Sequence, residues 1–203
     1  TVSEGQAYTL LRAAWMDDQP TFDRVWRWTR THLTRTGREG PALLAWHWSP
    51  ADGGQVVDWN AATDADVYVA LALLIAAERW RGPSAADLPA YGVSARAMLT
   101  DLADQAVAED DRLVPFLLPG AWADQRAEGR GLVLNPSYLA PASYRLFYRA
   151  TADQRWLRLA SSAYDVLETE CESSASGAAV PDWVRWWSSN RWSPEGPDGG
   201  RSS

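Results

Sequence analysis

A chain of 203 residues is long enough for one domain with a sizeable core, and its 46% hydrophobic content with both charge signs present fits a globular protein. The formal charge of −7, with no basic stripe to meet phosphates, argues against nucleic acid or an anionic membrane as partner, and no stretch is long enough to span a membrane. A single cysteine, Cys171, excludes an internal disulfide, while 13 Trp against three Phe exceed what a core needs and suggest that several indoles line a wet, ring-binding surface.

The first helix runs from Ser3 through Leu10, Leu11, Ala13, Ala14 and Trp15. Ser3 followed by Gln6 reads as a capping box, which leaves Glu4 as a first-turn carboxylate favoured by the helix dipole. Pro20, Phe22, Val25, Trp26, Thr29 and Leu33 outline a second helix ending near Gly37; Arg24, Arg27, Arg30 and Arg35 read as its solvated face, and His32 as a surface residue. Leu43-Leu44-Ala45-Trp46-His47-Trp48 then alternates as a short strand or extended loop, with Trp46 and Trp48 on one side and His47 on the other. His47 has no partner at metal-ligand spacing, so a zinc site is rejected. Ala51-Asp52-Gly53-Gly54 is a hairpin turn.

Trp59 and Asn60 lead into Ala62-Thr63-Asp64-Ala65-Asp66, which opens a long apolar helix to Trp80 with Thr63 or Asp64 at the N-cap. A capped core helix explains one acidic residue here. Two carboxylates and flat rings at one helix mouth suit carbohydrate instead, since rings stack on sugar faces and carboxylates bond hydroxyls or move protons. Arg81-Gly82-Pro83-Ser84 breaks the chain. A helix follows from Leu88 to Ala108, then an apolar connection to Gly120 and Trp122. Asn135 caps a helix starting at Pro136 and continued by Tyr144, Phe147 and Tyr148. The last helix covers Asp153 to about Glu172, followed by a polar linker over Ser173–Ala179, the segment Val180–Trp187 and a loop-like run from Pro194 to Ser203.

The stretch Ala62 to Trp80, with its Ala-Thr-Asp-Ala-Asp start and closing Trp, resembles the signature of glycoside hydrolase family 8. Val69 departs from it, standing where the family usually carries Ile or Met. Ser3-Glu4-Gly5-Gln6-x-Tyr8 resembles the family segment that holds the general acid, and Asn135-Pro136-Ser137-Tyr138 and Pro181-Asp182-Trp183 also resemble family segments.

The resemblance implies an all-α fold, an (α/α)6 barrel of which the six helices legible here are about half. It implies an endo-acting, inverting hydrolase of β-1,4-glucan without a cofactor, secreted or periplasmic. Glu4 would be the general acid and Asp64 would hold the distorted central sugar. Trp46, Trp48, Asn60, Asp66, Trp122, Asn135 and Tyr138 would line the cleft. Inversion needs a second carboxyl about 6.5–9.5 Å from the acid, to activate water. In the subfamily this chain most resembles, that base is an Asp in a Tyr-Asp-Ala-x-Arg segment, absent here; Tyr164-Asp165 falls too early and inside a helix. The expectation is therefore one catalytic domain over 1–203, incomplete at both ends, whose partner is the rest of the same barrel, in the same polypeptide or a cleaved chain. The rival readings are a carbohydrate-binding protein on an inactive barrel and another family specificity: xylan, mixed-linkage glucan or chitosan.

Overall fold

The computed structural model describes residues 1–84, 87–173, 181–188 and 191–194. Residues 174–180 and 195–203, and the side chain of Cys171, lie outside the described residues, so the polar linker, the terminal run and the lone thiol are not characterised. The chain divides into two compact units, Thr1–Gln105 and Ala106–Ser203.

In the first unit, α1 (Ser3–Trp15) packs against α2 (Gln19–Leu33) and α3 (Thr63–Trp80), and α3 packs against α4 (Tyr91–Gln105). The apolar repeats place Leu10, Phe22, Leu33, Leu73, Leu99 and Leu102 in the core. Between α2 and α3 the antiparallel hairpin of β1 (His47–Ser49) and β2 (Gln55–Asp58) turns through Ala51–Gly53, as the glycine pair predicts. Asp18 caps α2 by accepting the Thr21 N–H at 3.0 Å.

In this unit the two caps expected from sequence both differ. Val2 occupies the cap position of α1 without a side-chain bond. The Ser3 N–H instead donates to the Trp46 carbonyl at 2.9 Å, and Gln6 Oε1 accepts from Thr29 of α2 at 3.3 Å. Tertiary partners thus replace the local capping box. Ala62, not Thr63 or Asp64, precedes α3, so both residues lie inside its first turn. Arg35 leaves the solvated arginine face for a physical reason: α2 has ended at Leu33, and the side chain turns inward, its Nε buried.

The second unit holds a helical pair, α5 (Pro141–Thr151) and α6 (Arg155–Ser173), whose interface is built on Tyr144, Phe147 and Trp156. Strands β3 (Val107–Glu109) and β4 (Pro115–Leu117) pair antiparallel, and β4 lies on α6. This pairing claims Val107 and Ala108 and ends α4 at Gln105, short of the predicted boundary. Strands β5 (Leu132–Leu134), β6 (Val184–Ser188) and β7 (Arg191–Pro194) form a three-stranded antiparallel sheet with β6 central, over a cluster containing Phe116, Leu132, Val184 and Trp186. Asn135 caps only a single 3-10 turn, Pro136–Tyr138. Leu139 in extended backbone, followed by Ala140, which stands before Pro141 and is kept out of the helical region, breaks that turn from α5.

Candidate active site

A strap running from Leu43 to Trp48 organises the first unit. The turn before it needs Gly40: its φ is +62° and an added Cβ would stand 2.9 Å from Leu43 Cδ1. The Ala45 N–H then donates to the Leu33 carbonyl at 2.7 Å, the Leu44 N–H to Asp66 Oδ1 at 2.9 Å, and the Trp46 N–H to the Asn60 carbonyl at 2.8 Å. The Trp48 N–H reaches the Thr1 carbonyl at 2.9 Å, while the terminal amine of Thr1 returns a bond to the Trp48 carbonyl at 2.8 Å. One extended segment thereby joins the head of α1, the tail of α2 and the head of α3.

That stitching sets the carboxylates. Glu4, half-buried in the first turn of α1, accepts from the Trp46 indole Nε1 at 3.0 Å and from the Ser3 hydroxyl at 3.2 Å. Asp64 is 7% exposed, and its Oδ1 is buried without a hydrogen-bond partner. Burial, and then the Glu4 charge, push its carboxyl up to about 6, partly offset by the backbone amides of Ala65 and Asp64 at the helix start. The two candidate catalytic residues, 60 positions apart, are thus electrostatic neighbours.

The other expected cleft residues separate. Asn60 is exposed. Asp66 is completely buried; its Oδ1 receives the Leu44 amide and its Oδ2 has no partner. Burial holds this carboxyl well above the usual range, against the pull of Arg35. Its place is behind the strap, away from any surface a sugar reaches. Trp46 and Trp48 do not share surroundings either. Trp46 turns to Glu4, whereas Trp48 meets Trp28 and His32 edge-on, each with ring centroids 5.3 Å apart. A register shift between His47 and Trp48 disrupts the simple alternation. His32, expected at the surface, is half-buried and stacked on Trp28.

Two tyrosines, of which Tyr8 was named only as part of a family segment, were not among the expected site residues. Tyr8 and Tyr68 follow Glu4 and Asp64 by one helical turn each, and their rings lie 5.6 Å apart. Burial raises the Tyr8 hydroxyl, helped by Asp64, Tyr68 and Glu4. The matching i, i+4 spacing on two helices was the available signal. Trp59 is 37% exposed with the Arg38 guanidinium 4.4 Å above its ring.

In the second unit, Trp122 and Tyr138 come together across Trp183, at ring centroid distances of 5.7 and 6.2 Å. Trp183 is the member missed from sequence. Asn135 is 7% exposed and its side-chain oxygen accepts from the Ser137 amide and hydroxyl at 3.0 and 2.6 Å, so the group that was to meet sugar is engaged locally.

Fold and site together define a helical protein with paired carboxylates at the heads of two adjacent helices, one of them held by an indole. The family model of "Glycosyl hydrolases family 8" matches residues 1–197, and the chain belongs to that family. It is similar to Endoglucanase A of Acetivibrio thermocellus, with 34% identity over 90% of this chain and 35% of the relative. The endoglucanase of Xanthomonas axonopodis pv. citri is 35% identical over 92% of this chain and 46% of its own length. Among solved structures, a family 8 endo-β-1,4-glucanase from an Achatina fulica gut metagenomic library matches with a TM-score of 0.82 and 28% identity, over 97% of this chain and 58% of that one. The endo-β-1,4-glucanase CMCax of Acetobacter xylinum matches with a TM-score of 0.80 and 27% identity, over the same shares. Family 8 structures are (α/α)6 barrels, and this mostly helical chain corresponds to about half of such a neighbour. It spans between about a third and a half of the curated relatives it matches.

Proposed function

We propose that this chain carries the acid side of an inverting endo-β-1,4-glucanase site. Glu4 protonates the glycosidic oxygen as the C1–O bond breaks, water adds to C1 from the opposite face, and a base takes the water proton. Asp64 bonds the hydroxyls of the distorted central sugar. The base belongs to the part of the family domain that this chain does not span. The observation that carries the reading is Asp64, 7% exposed beside the Glu4 charge, with its buried Oδ1 left without a hydrogen-bond partner, an unsatisfied acceptor of the kind that points to a ligand. Ser3 supports the acid role, because a hydroxyl turns from donor to acceptor and can hold Glu4 Oε2 in either protonation state. A polymeric substrate places the protein outside the cytoplasm, secreted or in the cell envelope, and we include that location in the proposal.

The test is hydrolysis of cellohexaose followed by NMR of the anomeric protons, beside a Glu4→Gln control, in the protein that carries this sequence. First appearance of the α-anomer, lost in the control, is expected. Sugar binding without cleavage would return the assignment to a carbohydrate-binding barrel.

A further inference from the structure

The feature that the proposed chemistry leaves unused is Asp66, a carboxyl with no exposed surface in the first turn of α3. Burial penalises a carboxylate unless it is hydrogen-bonded, paired or neutralised. Its Oδ1 accepts from the Leu44 amide at 2.9 Å, at the start of the strap. Two residues on, the strap delivers Trp46, whose backbone is gripped on both sides, by Ser3 and by Asn60. Its indole in turn donates to Glu4 Oε1. Leu44 is therefore the point at which the helix bearing Asp64 holds the segment that orients Glu4.

We propose that Asp66 is a positioning residue: through the Leu44 amide it sets the strap so that the Trp46 indole holds Glu4 opposite Asp64. It touches no substrate. The acceptor oxygen, not the negative charge, is what the role requires, and an amide can supply it. Arg35, whose buried Nε has no partner, bears on Asp66 from the end of α2 and contributes only field.

This role rests on the glucanase reading for its kinetic consequence, but its structural consequence can be read without activity. In protein labelled with 15N at the tryptophan indoles, the Trp46 resonance is identified by its loss in Trp46→Phe, and its bond to Glu4 by its shift in Glu4→Gln. Asp66→Ala is expected to move that resonance in the same direction in a protein with unchanged circular dichroism. Asp66→Asn is expected to leave it in place. On cellohexaose, Asp66→Ala should lower kcat by about 10- to 100-fold with KM changed less than about threefold, as for a misplaced rather than missing acid. Asp66→Asn should restore kcat to within about threefold of the unmodified protein. Should Asp66→Ala not fold, Leu44→Pro, which removes the amide and leaves Asp66 intact, takes its place with the same expected resonance shift. An unmoved Trp46 resonance in a folded Asp66→Ala or Leu44→Pro protein overturns the proposal. So does an Asn variant as impaired as Ala, which would make the charge the functional property. Absence of hydrolysis in every form, with the resonance moving as expected, would refute the glucanase reading and leave the positioning role standing.

Discussion

The indole Nε1 of Trp46 donates to Glu4 Oε1 at 3.0 Å, although 42 residues separate the two. A rigid ring, itself fixed through backbone bonds to Ser3 and Asn60, makes a firmer holder for a carboxyl than a flexible polar chain. Trp46→Phe keeps most of the ring and deletes the donor. It should lower kcat on cellohexaose by about tenfold and destabilise the fold by about 1.5–3 kcal/mol, the usual range for a hydrogen bond to a charged group. Steady-state kinetics and urea titration check the two figures separately.

Asp64 makes stability depend on pH. Its carboxyl is raised from 3.8 to about 6 on folding, so between these values the folded state binds a proton that the unfolded state has released. Stability therefore falls as pH rises through that window, and the cost is complete above it. At about 1.4 kcal/mol per unit, the cost approaches about 3 kcal/mol at neutral pH. Asp64→Asn should be more stable than the unmodified protein at pH 7.5, with the advantage vanishing near pH 3.5, while hydrolysis is lost. Denaturation midpoints at the two pH values provide the measurement.

Trp122 and Tyr138 form an aromatic group with Trp183. If a sugar stacks there, Trp122→Ala should raise KM for long cello-oligosaccharides by about five- to tenfold and leave kcat nearly unchanged, because binding of a remote sugar is worth about 1 kcal/mol in either state. A KM for cellohexaose unchanged from that of the unmodified protein would assign the ring to packing.

Asp23 is the structural counterpart of the site acids. It is 4% exposed and accepts from the Ser84 amide at 3.0 Å, from the Ser84 hydroxyl and from the Tyr91 hydroxyl, pinning α2 to the loop before α4 and to α4 itself. Asp23→Ala leaves those donors without their acceptor and should cost about 3 kcal/mol in urea unfolding, with no direct effect on the carboxylate pair.

Much of this protein was legible in the sequence because it is encoded locally. Helical periodicity marked the six helices, Gly53 and Gly54 marked the hairpin, and the resemblance of the segments opening α1 and α3 to family 8 singled out Glu4 and Asp64. What residues do for one another at long range was not. The strands β5 and β6 pair Leu134 with Val184, and neither short segment has the length or alternation to announce a strand alone. Caps offered by Ser3 and Gln6 were displaced by partners on the strap and on α2, since a helix amide takes whichever acceptor the tertiary structure brings. Asp64 and Asp66 read alike in sequence, two positions apart at one helix start. Packing alone decided between them: the strap covers Asp66 and binds it through Leu44, while Asp64 keeps 7% of its surface exposed beside the Glu4 charge. Residue type and spacing determine which groups are available; burial and the partners that arrive from elsewhere in the chain decide which of them is free to act.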